Sequence, residues 1–532
     1  MSRDQNTLKP GRTLARASVI MMASILLSRV MGMVREMVIA GSCGAGGEVD
    51  AYQAAFLLPD ILNHVLAGGF LSVTFIPILS RYLAGNEEEA GWRTASLVLT
   101  VIGLLTAGLA VVEWLLAGDL VPLVVPGMPE ALQKEAVRLT RIMIPAQIFF
   151  LSGGVLMAIQ MARGRFFLPA LAPLVYNAAI ILGGISAGRR SGMEGFSWGV
   201  LAGAMAGNFL IQAWGAYRVG FRFRPCLKLR HPDLGEYILL TLPLALGLSM
   251  TFSTEFFFKF FGSQVSPGAI ASLNYALRLM LVVVAVFGQA AGTASYPFLA
   301  RLAAEGRMIE VNDLLDATLR RFLVPVIGVS VLMAVVAPEI VGLVYQRGDF
   351  TRADIPPTAA ALRGFLCGAF AWAGTTIVVR GWFALKNTWI PALVSTAGVL
   401  LALPLYLLFT RWWGTCGVAL GSAVSMGLQA GFLYGLWAVK TRNRGARQVL
   451  ALLGRTSLLA GLLGGGALLL KQALLMGFDP AVFSGALVIV VAVSAAFTAG
   501  AFLLAPVFKI HEIADLMRRL ARKPGGAGSD GQ

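Results

Sequence analysis

The chain has 532 residues, of which 57% are hydrophobic and only 13% are charged, and its formal net charge is +16. Its mean hydropathy is +0.76, whereas soluble domains carry about a quarter charged residues. These values exclude an ordinary soluble domain and predict a protein that lies mostly within a lipid bilayer.

Long apolar stretches recur from one end of the chain to the other. Each has about 20 residues, the length of helix that crosses the hydrocarbon core of a membrane. Because the polar stretches between them are short, we predict an all-α integral membrane protein with about fourteen transmembrane helices. The predicted spans are 14–40, 51–80, 94–117, 137–162, 168–187, 194–217, 235–258, 268–299, 318–345, 357–384, 390–410, 417–439, 448–470 and 481–507.

The basic residues indicate how these spans are oriented. With an even number of spans both termini lie on one side, and the tails and alternate loops of that side carry most of the 43 lysines and arginines. Cytoplasmic loops of membrane proteins carry this excess, so we predict that both termini are cytoplasmic. Because the basic residues are divided among many short loops, we expect no nucleic-acid partner.

A short internal repeat divides the chain. Pro77–Arg81 (PILSR) ends the second span and recurs as Pro297–Arg301 (PFLAR) at the end of the eighth, and Arg-Gly and Pro-Ala-Leu motifs follow in the same order. Parallel repeats of this kind are typical of transporters. We predict two pseudo-repeated six-helix bundles and two extra C-terminal helices. The predicted segments are an N-terminal tail (1–13), an N-lobe (14–217), a linker (218–234), a C-lobe (235–439), helices 13 and 14 (440–507) and a C-terminal tail (508–532).

Arginines within the spans are the main candidates for function, because ionisable groups in lipid are costly and usually face a cavity or a partner. Arg29, Arg35 and Glu36 lie in the first span and Arg278 lies in the eighth. We expect the arginines of both bundles to face one wet cavity; an Arg–Glu pair that only holds helices together is the alternative. Since arginine suits phosphate oxygens, the diphosphate of a lipid headgroup is the predicted ligand.

Other polar residues within the spans have simpler interpretations. Glu255 and Lys259 are one helical turn apart and are expected to pair, although Glu255 is also a candidate for holding a coupling cation. Asp50 is expected at the outer start of the second span, as a helix cap. Interhelical hydrogen bonds are expected of Asn177, Asn208 and Gln212.

No arrangement of residues indicates an enzyme. Four cysteines and three histidines are scattered along the chain without the spacing of metal ligands, and no phosphate-binding glycine-rich loop indicates ATP hydrolysis. His64, the only histidine within a span, lacks an obvious carboxylate partner. We expect no catalytic residue, no metal and no cofactor, with a monovalent cation or the membrane potential as the candidate energy source.

Several stretches resemble the MurJ (MviN) family of lipid II flippases, in the multidrug/oligosaccharidyl-lipid/polysaccharide exporter superfamily. Ser28–Leu83 is similar to the family's first two helices almost position by position, and Asn274–Gly306 resembles its eighth helix. Tyr345–Asp354 (YQRGDFTRAD) and Lys386–Pro391 (KNTWIP) resemble two of its loops. The resemblance runs in order across most of the chain.

The resemblance implies outward movement of lipid II, the undecaprenyl-diphosphate-linked peptidoglycan precursor, by alternating access across the bacterial inner membrane. It therefore implies a role in cell-wall synthesis and cell shape, with the cell-wall synthesis machinery as a candidate partner. By position, Arg29, Arg35 and Arg278 match arginines on which the family depends and would hold the diphosphate, and Asp50 matches its acidic residue. Helices 13 and 14 are implied to form a groove for the lipid tail.

The chain departs from the family at charged positions. Asn63, followed by His64, stands where the family usually has an arginine, and Glu36 stands where aspartate is usual. We treat Glu36, Asp50, Asn63 and His64 as candidates for lining or gating the cavity. Further family charges are replaced by Gly68, Leu277 and Leu281.

These departures leave the substrate open. Another polyprenyl-diphosphate-linked glycan, of O-antigen or exopolysaccharide type, is one alternative to lipid II. A cation-coupled drug antiporter is the alternative within transport, although an arginine-rich first helix disfavours a cationic drug. A membrane enzyme or scaffold that acts on the same lipids is the alternative outside transport.

Overall fold

The computed structural model describes residues 10–66, 71–187, 192–228 and 230–512. Within these ranges the chain is helical and has no β-strand, as predicted for an all-α protein. Most of the predicted N-terminal tail, Gly68 and residues 513–532 of the predicted C-terminal tail lie outside the described residues. Helix packing divides the chain into two compact units, one of residues up to 271 with 347–350, and one of residues 272–346 with those after 350.

Helices α1 to α11 lie in the first unit. A π-helical turn, Ala204–Leu210, joins the ninth to the tenth. In chain order the helices are α1 Pro10–Cys43, α2 Gly47–Ala55, α3 Leu57–Val65, α4 Leu71–Ala84, α5 Glu88–Val124, α6 Glu130–Met143, α7 Ala146–Ala162, α8 Phe167–Ala187, α9 Gly192–Gly203, α10 Ile211–Arg218 and α11 Pro232–Ser263.

The second unit continues from α12, whose first turn belongs to the first unit. A π-helical turn, Ala285–Gln289, follows α12. The helices are α12 Ala269–Val284, α13 Ala290–Ala304, α14 Met308–Val335, α15 Ala337–Tyr345, α16 Ile355–Leu366, α17 Ala369–Ala384, α18 Trp389–Lys440, α19 Ala446–Leu475 and α20 Phe483–Leu504.

Several of these helices are long and apolar enough to cross a membrane. Among the described residues eight meet that standard, and the bent pair Arg352–Leu366 and Ala369–Ala384 adds a ninth. Helix α18 contains two helices, because the backbone of Gly414 (φ 53, ψ −128) is not helical. The chain is therefore a multi-pass α-helical membrane protein, whereas the count of fourteen spans and the lobe boundaries stay predictions.

A proline residue breaks one span that the sequence analysis treats as continuous. The described part of the predicted span 51–80 contains α2, α3 and α4, and a break falls at Phe56. Pro59 causes it, because its nitrogen has no hydrogen to donate to the carbonyl of Ala55. Pro145 lies between α6 and α7, but Glu130–Ala162 as a whole is one helix long and apolar enough to cross a membrane, so the predicted span 137–162 is confirmed as continuous.

Glycines at every fourth position bring α8 and α9 into backbone contact. A Cβ added at Gly199 would lie 2.7 Å from Cα of Ile180, and one at Gly203 would lie 2.9 Å from the carbonyl oxygen of Tyr176. Small residues at this spacing allow membrane helices to approach closely. The glycines in this row are Gly195, Gly199, Gly203 and Gly207. Helix α8 therefore packs against both α1 and α9.

A buried ion pair attaches α19 to the second unit. Lys471 Nζ lies 2.8 Å from Glu339 Oε2 on α15, and the two side chains are only 10% and 3% exposed. Lys471 also donates a hydrogen bond to the carbonyl oxygen of Val335 (2.9 Å). The sequence analysis missed this pair, because Lys471 lies just beyond the predicted span 448–470. Because both side chains are buried, the pair fixes the register of α19 against α15.

Replacing Lys471 by Met should destabilise the folded protein by about 3–5 kcal/mol, because Glu339 would remain buried without its partner. Adding Glu339→Gln should recover most of the loss, since no uncompensated charge then remains. Thermal unfolding of the purified protein in detergent measures both effects.

Lys134→Met is the matched control for this prediction. Lys134 and Glu130 form an ion pair of similar length (2.7 Å), but their side chains are 76% and 80% exposed. Such a pair contributes less than about 1 kcal/mol. Equal losses of stability for Lys134→Met and Lys471→Met would contradict the prediction, because the buried pair would then stabilise the protein no more than the exposed pair does.

Candidate functional site

Two neighbouring charges on α1 form an ion pair inside the first unit. Arg35 Nη2 donates to Glu36 Oε1 over 2.6 Å, and the side chain of Glu36 is only 1% exposed. A buried carboxylate requires such a partner, because its charge is otherwise uncompensated. Glu36 thus neutralises Arg35 in this structure, and its role in gating stays a prediction.

Arg35 is also tied to α8. Its Nη1 donates to Asn177 Oδ1 (3.2 Å), which confirms that Asn177 makes an interhelical hydrogen bond. Asn177 Nδ2 donates to the carbonyl of Pro173 (2.8 Å), and this bond orients the amide so that its oxygen faces Arg35. The Nε of Arg35 is buried and has no hydrogen-bond partner among the described residues. One donor of the guanidinium is therefore uncommitted.

The other two predicted arginines lie in different surroundings. Arg29 is exposed on α1, between the exposed apolar side chains of Leu26 and Val30. A charged side chain on an apolar membrane helix is stable where water or headgroups reach it, so this position favours a wet surface. Arg278 is half-buried on α12 in the second unit. That the three arginines share one cavity stays a prediction.

The structure corrects the expected role of Asp50. Asp50 does not cap its own helix, since α2 has Gly46 as its N-cap and Asp50 lies in the first turn. Its buried carboxylate accepts backbone hydrogen bonds from Gly268 (2.6 Å) and Ala271 (2.7 Å). These N–H groups belong to the start of α12, where a helix has no intrahelical acceptors for them. Asp50 therefore caps the helix that carries Arg278.

Backbone contacts surround this cap within the first unit. The N–H of Asp349 donates to the carbonyl of Gly41 (2.9 Å) at the end of α1. Added Cβ atoms at Gly348 and Gly268 would lie 2.0 Å from the carbonyl oxygen of Gly41 and 2.3 Å from that of Ala45. Both glycines have positive φ, which other residues rarely adopt. We call residues 41–47, 264–268 and 347–350, with the Asp50 cap, the turn cluster.

The polar residues of α3 make hydrogen bonds within the first unit. Asn63 Nδ2 donates to Gln147 Oε1 on α7 (3.1 Å). His64 Nδ1 lies 2.6 Å from the carbonyl oxygen of Asp60 one turn earlier, so Nδ1 carries the proton in that bond. Asn63 therefore joins α3 to α7, and the predicted cavity role of both residues stays a prediction.

The expected pair of Glu255 and Lys259 is not formed. Both residues are described, and no ion pair joins them, although they are one turn apart on α11. Glu255 is half-buried and Lys259 is buried. Glu255 stays a candidate for a cation site on sequence grounds alone.

Gln212 confirms the expectation of an interhelical hydrogen bond. Its Oε1 accepts from Gln160 Nε2 of α7 over 2.9 Å, and both side chains are buried. The sequence analysis missed Gln160 as the partner and missed the donors to Asp50. The composition of a chain does not show which backbone N–H groups donate to a side chain. The sequence signal for the donors to Asp50 is Gly268, which immediately precedes an apolar helix.

Comparisons with known proteins agree on one family. The family model described as "Lipid II flippase MurJ" matches residues 39–491. A lipid II flippase MurJ of Burkholderia cenocepacia is 28% identical over 471 residues, covering 85% of this chain and 89% of that protein. A probable lipid II flippase MurJ of Vibrio cholerae is 25% identical over 437 residues, covering 80% and 82%.

Solved structures show the same fold. A lipid II flippase MurJ in an inward closed conformation matches with a TM-score of 0.73 at 21% identity, covering 92% of this chain and 99% of that chain. An inward-facing multidrug resistance transporter of the MATE family, in the MOP superfamily, matches with a TM-score of 0.65 at 14% identity, covering 80% and 98%. At these identities the likeness concerns the fold alone.

Replacing Asp50 by Ala should destabilise the protein by about 1–3 kcal/mol for each backbone N–H that loses its acceptor. Asp50→Asn should have a smaller effect, because the amide oxygen still accepts one hydrogen bond. Thermal unfolding in detergent measures both. Asp479→Ala is the control, since Asp479 accepts a similar bond from Ala481 (2.8 Å) at an exposed position, where water replaces it. Equal melting temperatures for Asp50→Ala and Asp479→Ala would contradict a structural role for the cap.

Proposed function

This chain belongs to the MurJ family of lipid II flippases, and we propose that it moves lipid II from the cytoplasmic to the outer leaflet of the bacterial inner membrane. It is a transport protein and not an enzyme. The observation that carries the proposal is the family match over residues 39–491. The arginines of α1, within an apolar helix, support it because they suit a diphosphate.

Arg29, Arg35 and Arg278 would hold the headgroup diphosphate. In the structure Glu36 neutralises Arg35 through Nη2, while Nε remains uncommitted. A diphosphate would compete with Glu36 for this guanidinium, since both are anions that accept from the same N–H groups. The return of Glu36 to Arg35 would then assist release of the headgroup. An ion pair that exchanges partners binds the substrate reversibly, which transport requires.

Alternating access would act through the turn cluster. Under the predicted topology its turns lie on the outer side of the membrane, and opening toward that side would separate Asp50 from the first turn of α12. The affinity for the diphosphate must differ between the two states, because a ligand shifts a conformational equilibrium only by that difference. We propose that Asp50 holds the state in which the outer side is closed.

The energy source, the partners and the orientation belong to the same proposal. A monovalent cation bound near Glu255, or the membrane potential, would drive the cycle, and both termini would face the cytoplasm near the cell-wall synthesis machinery. Helices α19 and α20 would line a groove for the polyprenyl tail. Another polyprenyl-diphosphate-linked glycan is the nearest alternative substrate, because it presents the same diphosphate and tail. The fold shared with a MATE transporter supports a drug antiporter only as the second candidate.

Expression of this chain should restore growth to a bacterium depleted of its own lipid II flippase. Arg29→Ala and Arg278→Ala should each abolish the rescue, because the diphosphate loses a charged ligand. Arg93→Ala is the control, since Arg93 forms only an exposed pair with Glu89 on α5. Colony counts after depletion, with the amount of each protein measured in membranes, give the result.

Arg35 needs a second variant, because Arg35→Ala leaves Glu36 buried without its partner. The double variant Arg35→Ala/Glu36→Gln removes both charges and should accumulate to the wild-type level in membranes, yet still fail to rescue. Full rescue by a protein that lacks all three arginines would rule out their role in binding the headgroup.

A further inference from the structure

A pocket of about 810 Å³ lies in the first unit, apart from the arginines of α1. The C-terminal part of α5, α6 and α9 surround it, and its lining includes Trp114, Arg141, Glu194 and Trp198. Small-molecule sites commonly have volumes of about 300–1,000 Å³. None of the residues predicted to hold the diphosphate lines it.

Most charged residues of this pocket are already paired with one another. Lys134 pairs with Glu130 (2.7 Å), and Arg138 pairs with Glu194. Arg141 is different, because it forms no ion pair within the part of the chain that the structure describes. The lining therefore carries one cation more than it has carboxylates, and this excess is located at Arg141.

The backbone and ring of Trp114 hold Arg141 in place. Its Nε donates to the carbonyl oxygen of Trp114 (3.2 Å), and its guanidinium lies 4.9 Å from the centre of the Trp114 ring. Its two terminal nitrogens make no hydrogen bond to any described residue. A guanidinium fixed through Nε presents these two nitrogens as a fork, the geometry that matches two oxygens of a phosphate.

The apolar part of the lining indicates where the pocket lies in the membrane. Trp114 and Trp198 are large aromatic residues, yet they are 43% and 53% exposed. Exposed tryptophans beside charged residues are typical of the interface between headgroups and hydrocarbon. A ligand there would have an anionic head and an apolar tail.

We propose that this pocket binds an anionic glycerophospholipid of the surrounding membrane, with its phosphate on Arg141 and its acyl chains along Trp114 and Trp198. Under the predicted topology the lipid comes from the outer leaflet. It joins α5, α6 and α9 at the membrane surface, and it is distinct from the transported substrate, which the arginines of α1 and α12 would hold.

Native mass spectrometry of the delipidated full-length protein tests this proposal. The protein is titrated with phosphatidylglycerol or with phosphatidylcholine of the same acyl chains. The tightest phosphatidylglycerol site should bind about tenfold more weakly in Arg141→Gln, since a charge-assisted hydrogen-bond pair is lost. Arg93→Gln removes the same charge elsewhere on the surface and should bind as the wild type does.

Further measurements in the same experiment decide the identity of the ligand. Arg141→Lys keeps the charge and loses the fork; it should bind phosphatidylglycerol more weakly than the wild type, and it replaces Arg141→Gln if that variant does not fold. Equal affinity for the two lipids, or unchanged binding in both Arg141 variants, would overturn the proposal. Displacement of the lipid by millimolar inorganic phosphate would also overturn it, because the site would then take a free anion.

Discussion

The hydrogen bonds between Asp50 and the first turn of α12 are the interaction on which the proposed mechanism depends. A buried carboxylate needs donors, and the first turn of a helix needs acceptors. Each satisfies the other here, through the N–H groups of Gly268 and Ala271. Positive-φ glycines at 268 and 348 permit the close backbone contacts around the cap. A side chain at either position would move the turns apart and leave a charge without its donors.

The charges within the helices serve two different purposes. Lys471 and Glu339 satisfy each other and the carbonyl of Val335 in a buried environment, so their pair holds α19 in place. Arg35 is also paired, but its Nε is uncommitted and its partner Glu36 is the adjacent residue. A pair with a spare donor can exchange an internal anion for a phosphate, whereas a fully satisfied pair cannot do so without a large loss.

The sequence predicted the fold class, because long apolar stretches follow directly from the thickness of the membrane. It predicted Asn177 as an interhelical contact but not its bond to Arg35. It assigned Asp50 to the wrong helix as a cap, since backbone donors far away in sequence leave no local pattern. The break at Phe56 was readable from the chemistry of Pro59 but was outweighed by continuous hydropathy. Contacts made by backbone groups, or between helices that are distant in sequence, could be identified only from the structure.

The leaflet in which lipid II resides tests the central claim most directly. In a cell that depends on this protein, lipid II can be exposed to an added enzyme that cleaves it only from outside. Depletion of the protein should leave the cellular lipid II largely protected, because it then remains in the cytoplasmic leaflet. Cleavage at the same extent before and after depletion would contradict the account.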